Sequence, residues 1–194
     1  MNKLIVAACL ASVITMTAGA AMADSINGRV GITGRIGFLI PSDNSVESPT
    51  NRTDAGFVGG VGVIYGIDDH FAAELEVSRT YFDSDNGNFG ITDVSLGGQY
   101  RFTLSNRQLV PYLGAGLDIL VSDYDNNGGN VDTTVGAHLS AGADYFLTRQ
   151  LAMTAEAKFV AAPNTSVTDG LGNHVGNFDP SSFSGTVGIR YFFN

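Results

Sequence analysis

Two residues near the middle of the chain have types that could perform ester hydrolysis. His138 and Ser140 form a His-x-Ser pair, and a histidine base beside a hydroxyl nucleophile is what acyl transfer requires. Residues two apart share one face of a strand. Alternation places this pair on the polar face of its segment, and no glutamate stands nearby on the opposite, apolar face. We therefore predict a structural role for the pair, with an esterase as a minor alternative.

A second stretch resembles the start of a calcium-binding loop. Asp123-x-Asp125-x-Asn127-Gly128 has the expected spacing. Thr134, however, stands where such a loop has its bidentate glutamate. The same residue types are common in solvated hairpin tips. Asp123, Asp125 and Asn127 are therefore weak metal candidates, and we expect at most weak calcium binding and no cofactor.

The elements that carry these residues alternate with a period of two, which is typical of β-strands. Each segment sets an apolar face against a face of polar residues and glycine. Eight such segments lie between turn signals: Ile26–Ile40, Ala55–Ile67, Phe71–Phe82, Gly90–Phe102, Leu109–Val121, Thr133–Leu147, Leu151–Val160 and Phe183–Phe193. The 22 residues from Ala161 to Ser182 show no periodicity.

Alternation alone occurs in soluble sandwiches as well as in membrane barrels, so other features must separate them. Aromatic residues such as Phe38, Tyr81, Phe159 and Tyr191 cluster at segment ends, as the interfacial girdles of outer-membrane barrels require. Long and short connections alternate along the chain, which matches long external loops and short periplasmic turns. We predict an all-β fold, an eight-stranded antiparallel up-and-down transmembrane β-barrel, with a periplasmic or secreted sandwich as the alternative.

The first 23 residues have the features of a secretory signal peptide. Lys3 precedes a mostly apolar run from Leu4 to Thr17, and Ala21-Met22-Ala23 is a cleavage site. We predict residues 1–23 as a removed signal peptide and residues 24–194 as an outer-membrane β-barrel domain. The only cysteine, Cys9, lies inside the signal, which excludes a disulfide framework in the mature chain. A lipoprotein-type box ending at Cys9 is the alternative.

Three motifs resemble a known group of proteins. They are Pro111 to Gly116 (PYLGAG), Ala141 to Leu147 (AGADYFL) and the ending Thr186-x-Gly188-x-x-Tyr191-x-Phe193. They are similar to the small eight-stranded outer-membrane barrels that include the OmpA barrel domain, OmpX and OmpW, over the whole mature chain. The resemblance implies that Thr186, Gly188, Tyr191 and Phe193 form the signal recognised by the barrel-assembly machinery, although Asn194 follows. No OmpA-type peptidoglycan-binding domain is expected.

The faces predicted to point inward carry nearly balanced charges. The acids are Glu74, Glu76, Asp93, Asp118, Asp144 and Glu156, the bases are Arg29, Arg35, Arg101, Lys158 and Arg190, and His138 lies among them. An eight-stranded barrel is only wide enough to be filled by its own side chains. We predict a salt-bridged, closed lumen in which Arg190 pairs with carboxylates such as Glu74, Glu76 or Glu156.

Two functional alternatives accompany the closed, structural or surface-interaction barrel. The first is a narrow, charge-gated porin or an OmpW-like conduit for small molecules. The second is a lipid A-modifying enzyme, because lipid A deacylases of similar barrel size use His, Ser and Glu. Those enzymes present their reactive groups to the lipid. In this chain the period-two alternation of the strand places His138 and Ser140 on the inward face. No enzymatic activity is therefore predicted.

The predicted external connections are strongly acidic. With their rims they hold ten acidic residues against Arg52 alone: Asp43, Glu47, Asp54, Asp83, Asp85, Asp123, Asp125, Asp132, Asp169 and Asp179. A negative field repels nucleic acid and recruits divalent cations near phosphorylated lipopolysaccharide. We expect outer-membrane lipid and lipopolysaccharide as partners, the barrel-assembly machinery during biogenesis, no nucleic acid, and a monomer.

Arg79 breaks the apolar pattern of the third segment's outward face. It lies near the external end, where a lipid-facing arginine costs about 0 to 1 kcal/mol instead of about 2 to 4 at the midplane. Beside Tyr81 it can extend to a lipid phosphate. Arg79 and Tyr81 are predicted to anchor the barrel at the lipid interface.

Overall fold

The fold was analysed in a computed structural model of the chain, which describes residues 25–41, 55–82, 89–104, 108–124, 130–131, 133–163, 165–168, 174–178 and 181–193. The predicted signal peptide lies outside these residues. Asp125 and Asn127 of the calcium-loop prediction also lie outside them, as does the side chain of Asp123. The described part contains no helix long and apolar enough to cross a membrane.

The described residues form strands in chain order from β1 to β11. Their bounds are β1 Val30–Pro41, β2 Gly56–Gly66, β3 Phe71–Phe82, β4 Phe89–Arg101, β5 Leu109–Tyr124, β6 Asn130–Val131, β7 Thr134–Phe146, β8 Leu151–Ala161, β9 Thr165–Thr168, β10 His174–Phe178 and β11 Ser182–Phe192. The eight long strands coincide with the eight predicted segments to within a few residues.

The eight long strands form one closed barrel in the order β1-β11-β8-β7-β5-β4-β3-β2. Neighbouring strands are antiparallel, and the first and last strands close the barrel with a register from Gly31 opposite Phe192 to Pro41 opposite Ser182. Closure removes the unpaired sheet edges that an open sheet would expose. The predicted eight-stranded antiparallel barrel is therefore confirmed.

The main departures from the predicted segments lie at the strand ends and in the connections. β1 starts at Val30 instead of Ile26, because Gly28 has a φ of 71° and Arg29 N–H bonds the Ile26 carbonyl at 2.9 Å, which makes a turn. β6, β9 and β10 form a separate sheet in the order β10-β9-β6. These strands were not predicted, because two to five residues are too few to reveal a period of two.

The barrel is apolar outside and polar inside. Val61 and Leu139 are 67% and 66% exposed, whereas Arg190 and Asp144 are 0% exposed. This distribution is the reverse of a water-soluble protein, in which charged groups are almost never fully buried unless paired. Four-residue turns at 67–70 and 147–150 mark one end of the barrel, here called the short-turn rim. The opposite end is called the long-loop rim.

Candidate functional site: the barrel lumen

The lumen is filled by inward-facing side chains arranged in layers between the two rims. An apolar layer lies at the short-turn rim, two clusters of charged residues occupy the middle, and a smaller apolar layer lies near the long-loop rim. The layers arise because each strand places every second residue inward. On β11, for example, Phe192, Arg190 and Gly188 follow one another from the short-turn rim.

Arg190 on β11 is one centre of the charged network in the lumen. Its guanidinium donates to Asp144 Oδ2 at 2.7 Å, to Glu74 Oε1 at 2.8 Å and to Thr33 Oγ1 at 2.9 Å. These acceptors lie on β7, β3 and β1, so one side chain joins four strands of the barrel. The predicted pairing of Arg190 with Glu74 is present, while Glu76 and Glu156 contact Arg35 instead.

Arg35 on β1 is the second centre of this network. Its guanidinium bonds Glu74 at 2.9 Å and Glu156 at 3.2 Å, and it also contacts Glu76. Arg101 donates to Asp144 Oδ2 at 2.6 Å. We call the charged residues joined in this way the Arg190 cluster; they are Arg35, Arg101, Arg190, Glu74, Glu76, Asp144 and Glu156.

Neutral polar residues complete the hydrogen bonding of the Arg190 cluster. The Tyr112 hydroxyl donates to Glu156 Oε2 at 2.9 Å, and the Gln99 amide donates to Glu74. The Tyr112 ring also lies under two guanidinium groups, with centroid distances of 5.7 Å to Arg101 and 5.9 Å to Arg190. Such cation–π contacts are strongest where water is excluded.

A second group, the Lys158 cluster, consists of Lys158, Asp93, Asp118 and His138. Lys158 Nζ lies 2.8 Å from Asp93 Oδ2 and 2.7 Å from Asp118 Oδ1. His138 Nδ1 lies 2.8 Å from Asp118 Oδ2. The cluster joins β8, β4, β5 and β7, and it lies nearer the long-loop rim than Arg190 does.

Strand β2 contributes no charged side chain to the lumen, and the glycines on its inward face leave room for the side chains of other strands. At Gly62 an added Cβ would lie 3.1 Å from the Leu75 carbonyl oxygen and 3.4 Å from Glu74 Oε1. A side chain there would press against the carboxylate that Arg35 and Arg190 share. The glycine-lined face of β2 therefore admits the network that the other seven strands supply.

The two clusters carry more negative than positive groups when all acids are ionised. The Arg190 cluster has three arginines against four carboxylates, and the Lys158 cluster has one lysine against two carboxylates. Because buried charge needs a partner, the loss of one further cation is expected to be costly.

The structure does not bring Arg29 into the lumen network, which corrects its sequence-based assignment. Arg29 precedes β1 and is half-buried at the short-turn rim. It donates to the carbonyl oxygens of Arg149 at 3.0 Å and Phe193 at 3.3 Å, and its guanidinium lies 5.3 Å from the Phe192 ring centroid. Arg29 is separated from the charged clusters because the apolar layer that contains Ile64 and Phe192 lies between them and the short-turn rim.

An apolar layer fills the lumen at the short-turn rim. It consists of Ile26, Ile64, Ala72, Phe146, Ala152 and Phe192, all 4% exposed or less. The Phe146 and Phe192 rings stack with centroids 5.8 Å apart. The sequence analysis did not predict this layer. The alternation of β11 does place Phe192 on the inward face, which indicates that this aromatic residue does not contact lipid.

A smaller apolar layer lies near the long-loop rim, where Ile91, Leu120 and Val160 are buried and Leu39 packs against them. Between these residues and the charged groups lies a cavity of about 40 Å³ lined by Arg35, Glu76, Asp93 and Lys158 among others. A buried water needs about 10 to 15 Å³ on this measure. The cavity therefore has room for a few water molecules.

The remaining predicted site residues occupy different parts of the barrel. His138 and Ser140 both face the lumen, and the His138 imidazole is engaged by Asp118. Thr186 and Gly188 face inward on β11, whereas the Tyr191 and Phe193 rings meet edge to face at 5.3 Å at the short-turn rim. Arg79 lies on the outer surface, with its guanidinium 5.4 Å from the Tyr81 ring centroid.

Outside the membrane-spanning strands, Asp68 organises the turn between β2 and β3. Its Oδ1 accepts the backbone N–H groups of His70 and Phe71, both at 2.7 Å. These bonds favour the ionised carboxylate and hold the pKa of Asp68 below its usual value. The turn between β7 and β8 uses Thr148 Oγ1 in the same way, at 3.2 and 3.0 Å from the N–H groups of Gln150 and Leu151.

A closed eight-stranded barrel with an apolar exterior, aromatic residues near its rims and a polar, filled lumen defines a transmembrane β-barrel. The family model for the outer membrane protein beta-barrel domain matches residues 6–191. The chain therefore belongs to that family, and it is an outer-membrane β-barrel protein. No curated protein sequence is significantly similar to it.

Solved structures of outer-membrane proteins share the fold. OprG from Pseudomonas aeruginosa is 16% identical with a TM-score of 0.65, over 87% of this chain and 97% of that one. Neisserial surface protein A is 17% identical with a TM-score of 0.67, over 84% and 97%. Outer membrane protein W of E. coli is 16% identical with a TM-score of 0.52, over 86% and 98%. At these identities the likeness shows the fold alone.

Proposed function

We propose that this protein is a closed-lumen barrel with a structural or surface-interaction role in the outer membrane. In this proposal residues 1–23 direct export and are removed, and residues 24–194 form the mature domain. The barrel displays its acidic connections to the exterior and performs no catalysis. Its lipid-facing surface and filled lumen act as a scaffold for those connections.

The observation that carries the proposal is the set of contacts that cross the lumen. Arg190 joins β11 to β3 and β7, and Lys158 joins β8 to β4. These strands are not neighbours in the barrel wall, so the bonded side chains occupy the space that a pore would need. Moving an ion through this region would require at least one of these buried pairs to separate, at a cost of several kcal/mol.

The short-turn layer supports the same proposal independently. Ile64, Ala152 and Phe192 are 0% exposed, and Phe146 is 1% exposed. Water in contact with the lumen from this rim would leave a measurable exposed area on these residues. An apolar constriction also opposes ion passage, because an ion would lose its hydration there without gaining polar ligands.

Proposed partners follow from the same placement. We assign the inward Thr186 and Gly188 and the outward Tyr191 and Phe193 to recognition by the barrel-assembly machinery. The acidic connections disfavour nucleic acid and favour divalent cations near lipopolysaccharide. A monomer is sufficient for this role, because a single chain closes the barrel without an edge strand.

The second candidate is an OmpW-like conduit for small molecules, which the buried apolar residues Ile91, Leu120 and Val160 near the long-loop rim favour. A cavity of about 40 Å³ is well below the range of about 300 to 1,000 Å³ typical of ligand pockets. Saturable binding of an apolar fluorescent probe that Leu120→Gln abolishes would support the conduit over the closed barrel.

Single-channel recording in planar bilayers tests the closed lumen directly. The protein is first shown to be folded by the difference in gel mobility between boiled and unboiled samples. An unrelated porin, recorded in the same membranes, establishes that conductance can be detected. We expect no reproducible current steps from this protein, and steps of constant size that depend on its insertion would overturn the proposal.

A further inference from the structure

Arg79 is the only charged side chain among the outward-facing residues whose side chains the structure describes on the eight barrel strands. Thr92 lies directly opposite Arg79 on β4, and it is the only outward hydroxyl of a serine or threonine in the same set. The two polar residues are thus adjacent on a surface that is otherwise apolar, apart from tyrosine hydroxyls. Two adjacent polar residues on a lipid-facing surface are costly unless they have polar partners.

The guanidinium of Arg79 lies close to residues of β3 and β4 on the outer wall. Arg79 Nη1 is 3.5 Å from Thr92 Oγ1, and the guanidinium carbon is 5.4 Å from the Tyr81 ring centroid. Beneath it, a Cβ at Gly90 would lie 3.2 Å from Arg79 Nη2. Glycine at this position therefore leaves the space that the guanidinium occupies, and any larger residue would displace it.

The side of this arrangement toward β2 is open. Gly59 lies opposite Arg79 on β2, and an added Cβ there would meet nothing closer than Phe57 at 4.0 Å. A ligand headgroup can therefore approach over Gly59, with Phe57 and Tyr81 on its long-loop side. These two aromatic residues pair across β2 and β3 and are 58% and 57% exposed.

The backbone of Arg79 lies just below the level of the lipid headgroups. Arg79 lies two residues from Tyr81, which is about 7 Å along the strand, on the membrane side of the long-loop aromatic residues. In outer-membrane barrels the rim with long connections faces the outside. An arginine here can extend its head to the interface while its stem contacts acyl chains.

We propose that Arg79 and Thr92 form a binding site for the phosphate group of an outer-leaflet lipid headgroup. The guanidinium offers parallel N–H donors that match phosphate oxygens in a bidentate way, and the Thr92 hydroxyl offers a further donor. The open surface above Gly59 receives the headgroup, and the acyl chains lie along the apolar wall. The site is outside the barrel, so it does not depend on whether the lumen conducts.

The backbone register places an acidic residue beside this site. Asp123 on β5 lies opposite Gly90, next to the position that the Arg79 guanidinium covers. A negative charge at this register position disfavours the approach of a phosphate. We therefore expect Asp123→Asn to strengthen phosphate binding, which provides a variant with an effect opposite to that of removing Arg79.

Native mass spectrometry of the full chain in detergent tests the proposal. The probes are phosphorylated lipid A, the same lipid with its phosphates removed, and inorganic phosphate. We expect the protein to prefer the phosphorylated lipid by about tenfold, the effect of roughly one charge-assisted hydrogen bond. Arg79→Gln should abolish this preference, Thr92→Val should reduce it, and Asp123→Asn should increase it.

The control is Arg29→Gln, which removes an arginine at the opposite, short-turn rim and should keep the full preference. Arg79→Lys keeps the charge without the bidentate geometry, so we expect an intermediate preference for the phosphorylated lipid. If Arg79→Gln fails to fold, Arg79→Lys takes its place in the test. An unchanged preference in the Arg79 variants would overturn the site. Full displacement of lipid A by millimolar inorganic phosphate would overturn the assignment to a lipid headgroup.

Discussion

Arg190 Nη1 lies 2.7 Å from Asp144 Oδ2, and this contact joins β11 to β7 across β8, which lies between them in the barrel wall. Both side chains are 0% exposed. The contact therefore adds a connection inside the barrel to the backbone hydrogen bonds of its wall. Loss of either partner would leave a buried charge with fewer partners, which links the lumen chemistry to the stability of the fold.

Replacement of Arg190 should destabilise the barrel strongly. Arg190→Gln leaves the Arg190 cluster with four carboxylates and two arginines, and removal of one partner of a buried ion pair typically costs about 3 to 5 kcal/mol. The free energy of unfolding would be measured by urea titration in lipid vesicles. Arg29→Gln is the matched control, because Arg29 bonds only backbone carbonyls in the described structure. Equal losses from both variants would contradict the role of Arg190.

Two glutamates on β3 should differ in their importance. Glu74 accepts hydrogen bonds from Arg35, Arg190, Gln99 and Thr33, whereas Glu76 contacts Arg35. Glu74→Gln is expected to cost about 3 to 5 kcal/mol of unfolding free energy. Glu76→Gln should cost about 1 kcal/mol or less, because it loses one bond and also reduces the negative excess. The same urea titration compares the two variants, and a larger loss at Glu76 would refute the charge count.

The aromatic pair at the short-turn rim should contribute to stability without being required to block the lumen. Phe146→Ala and Phe192→Ala each remove a buried ring, which should lower the free energy of unfolding by about 3 to 5 kcal/mol. The folded double variant should still show no current steps in planar bilayers, because the charged pairs that cross the lumen remain in place. Phe159→Ala is the control for stability, since Phe159 is 50% exposed on the outer surface and its loss should cost less. Reproducible current steps from the folded double variant would mean that the apolar layer, and not the charged pairs, blocks ions.

The turn at Asp68 should respond to acid. Because the pKa of Asp68 is lowered in the folded protein, its contribution is fully present above the usual carboxyl pKa and is lost as pH falls through the lowered value. Hydrogen exchange at the His70 and Phe71 amides, followed by NMR in detergent micelles, should therefore show protection that falls only at strongly acidic pH. Asp68→Asn keeps an acceptor and should lose less protection than Asp68→Ala. Identical exchange in both variants would exclude the capping role.

Period-two alternation was sufficient to predict the barrel and the inward direction of most charged residues. Arg190, Glu74 and Asp118 all face the lumen as parity requires, because parity depends only on local strand geometry. The partners could not be assigned in the same way. Whether Arg190 contacts Asp144 or Glu156 depends on how far neighbouring strands are displaced along the barrel, and this displacement is a property of the closed sheet.

The two apolar layers were missed for a different reason. Phe192 and Ile64 occupy inward positions, where the pattern of an outer-membrane barrel predicts polar residues. A single apolar residue on the polar face of one strand does not predict a layer that several strands build together. Their packing with Phe146 and Ala152 brings together residues from separate strands near one rim. The pairing of Thr92 with Arg79 could not be predicted either, because it depends on the register between β3 and β4.

The position of Arg190 on the closing strand has a consequence for assembly. Arg190 on β11 reaches Glu74 on β3 across the seam between β11 and β1, so Glu74 lacks one of its two arginine partners until that seam closes. Closure of the barrel and full charge pairing of Glu74 therefore occur in the same step. A barrel that is still open is penalised electrostatically as well as by its unpaired edges, so partly closed intermediates should be sparsely populated and insertion should be cooperative.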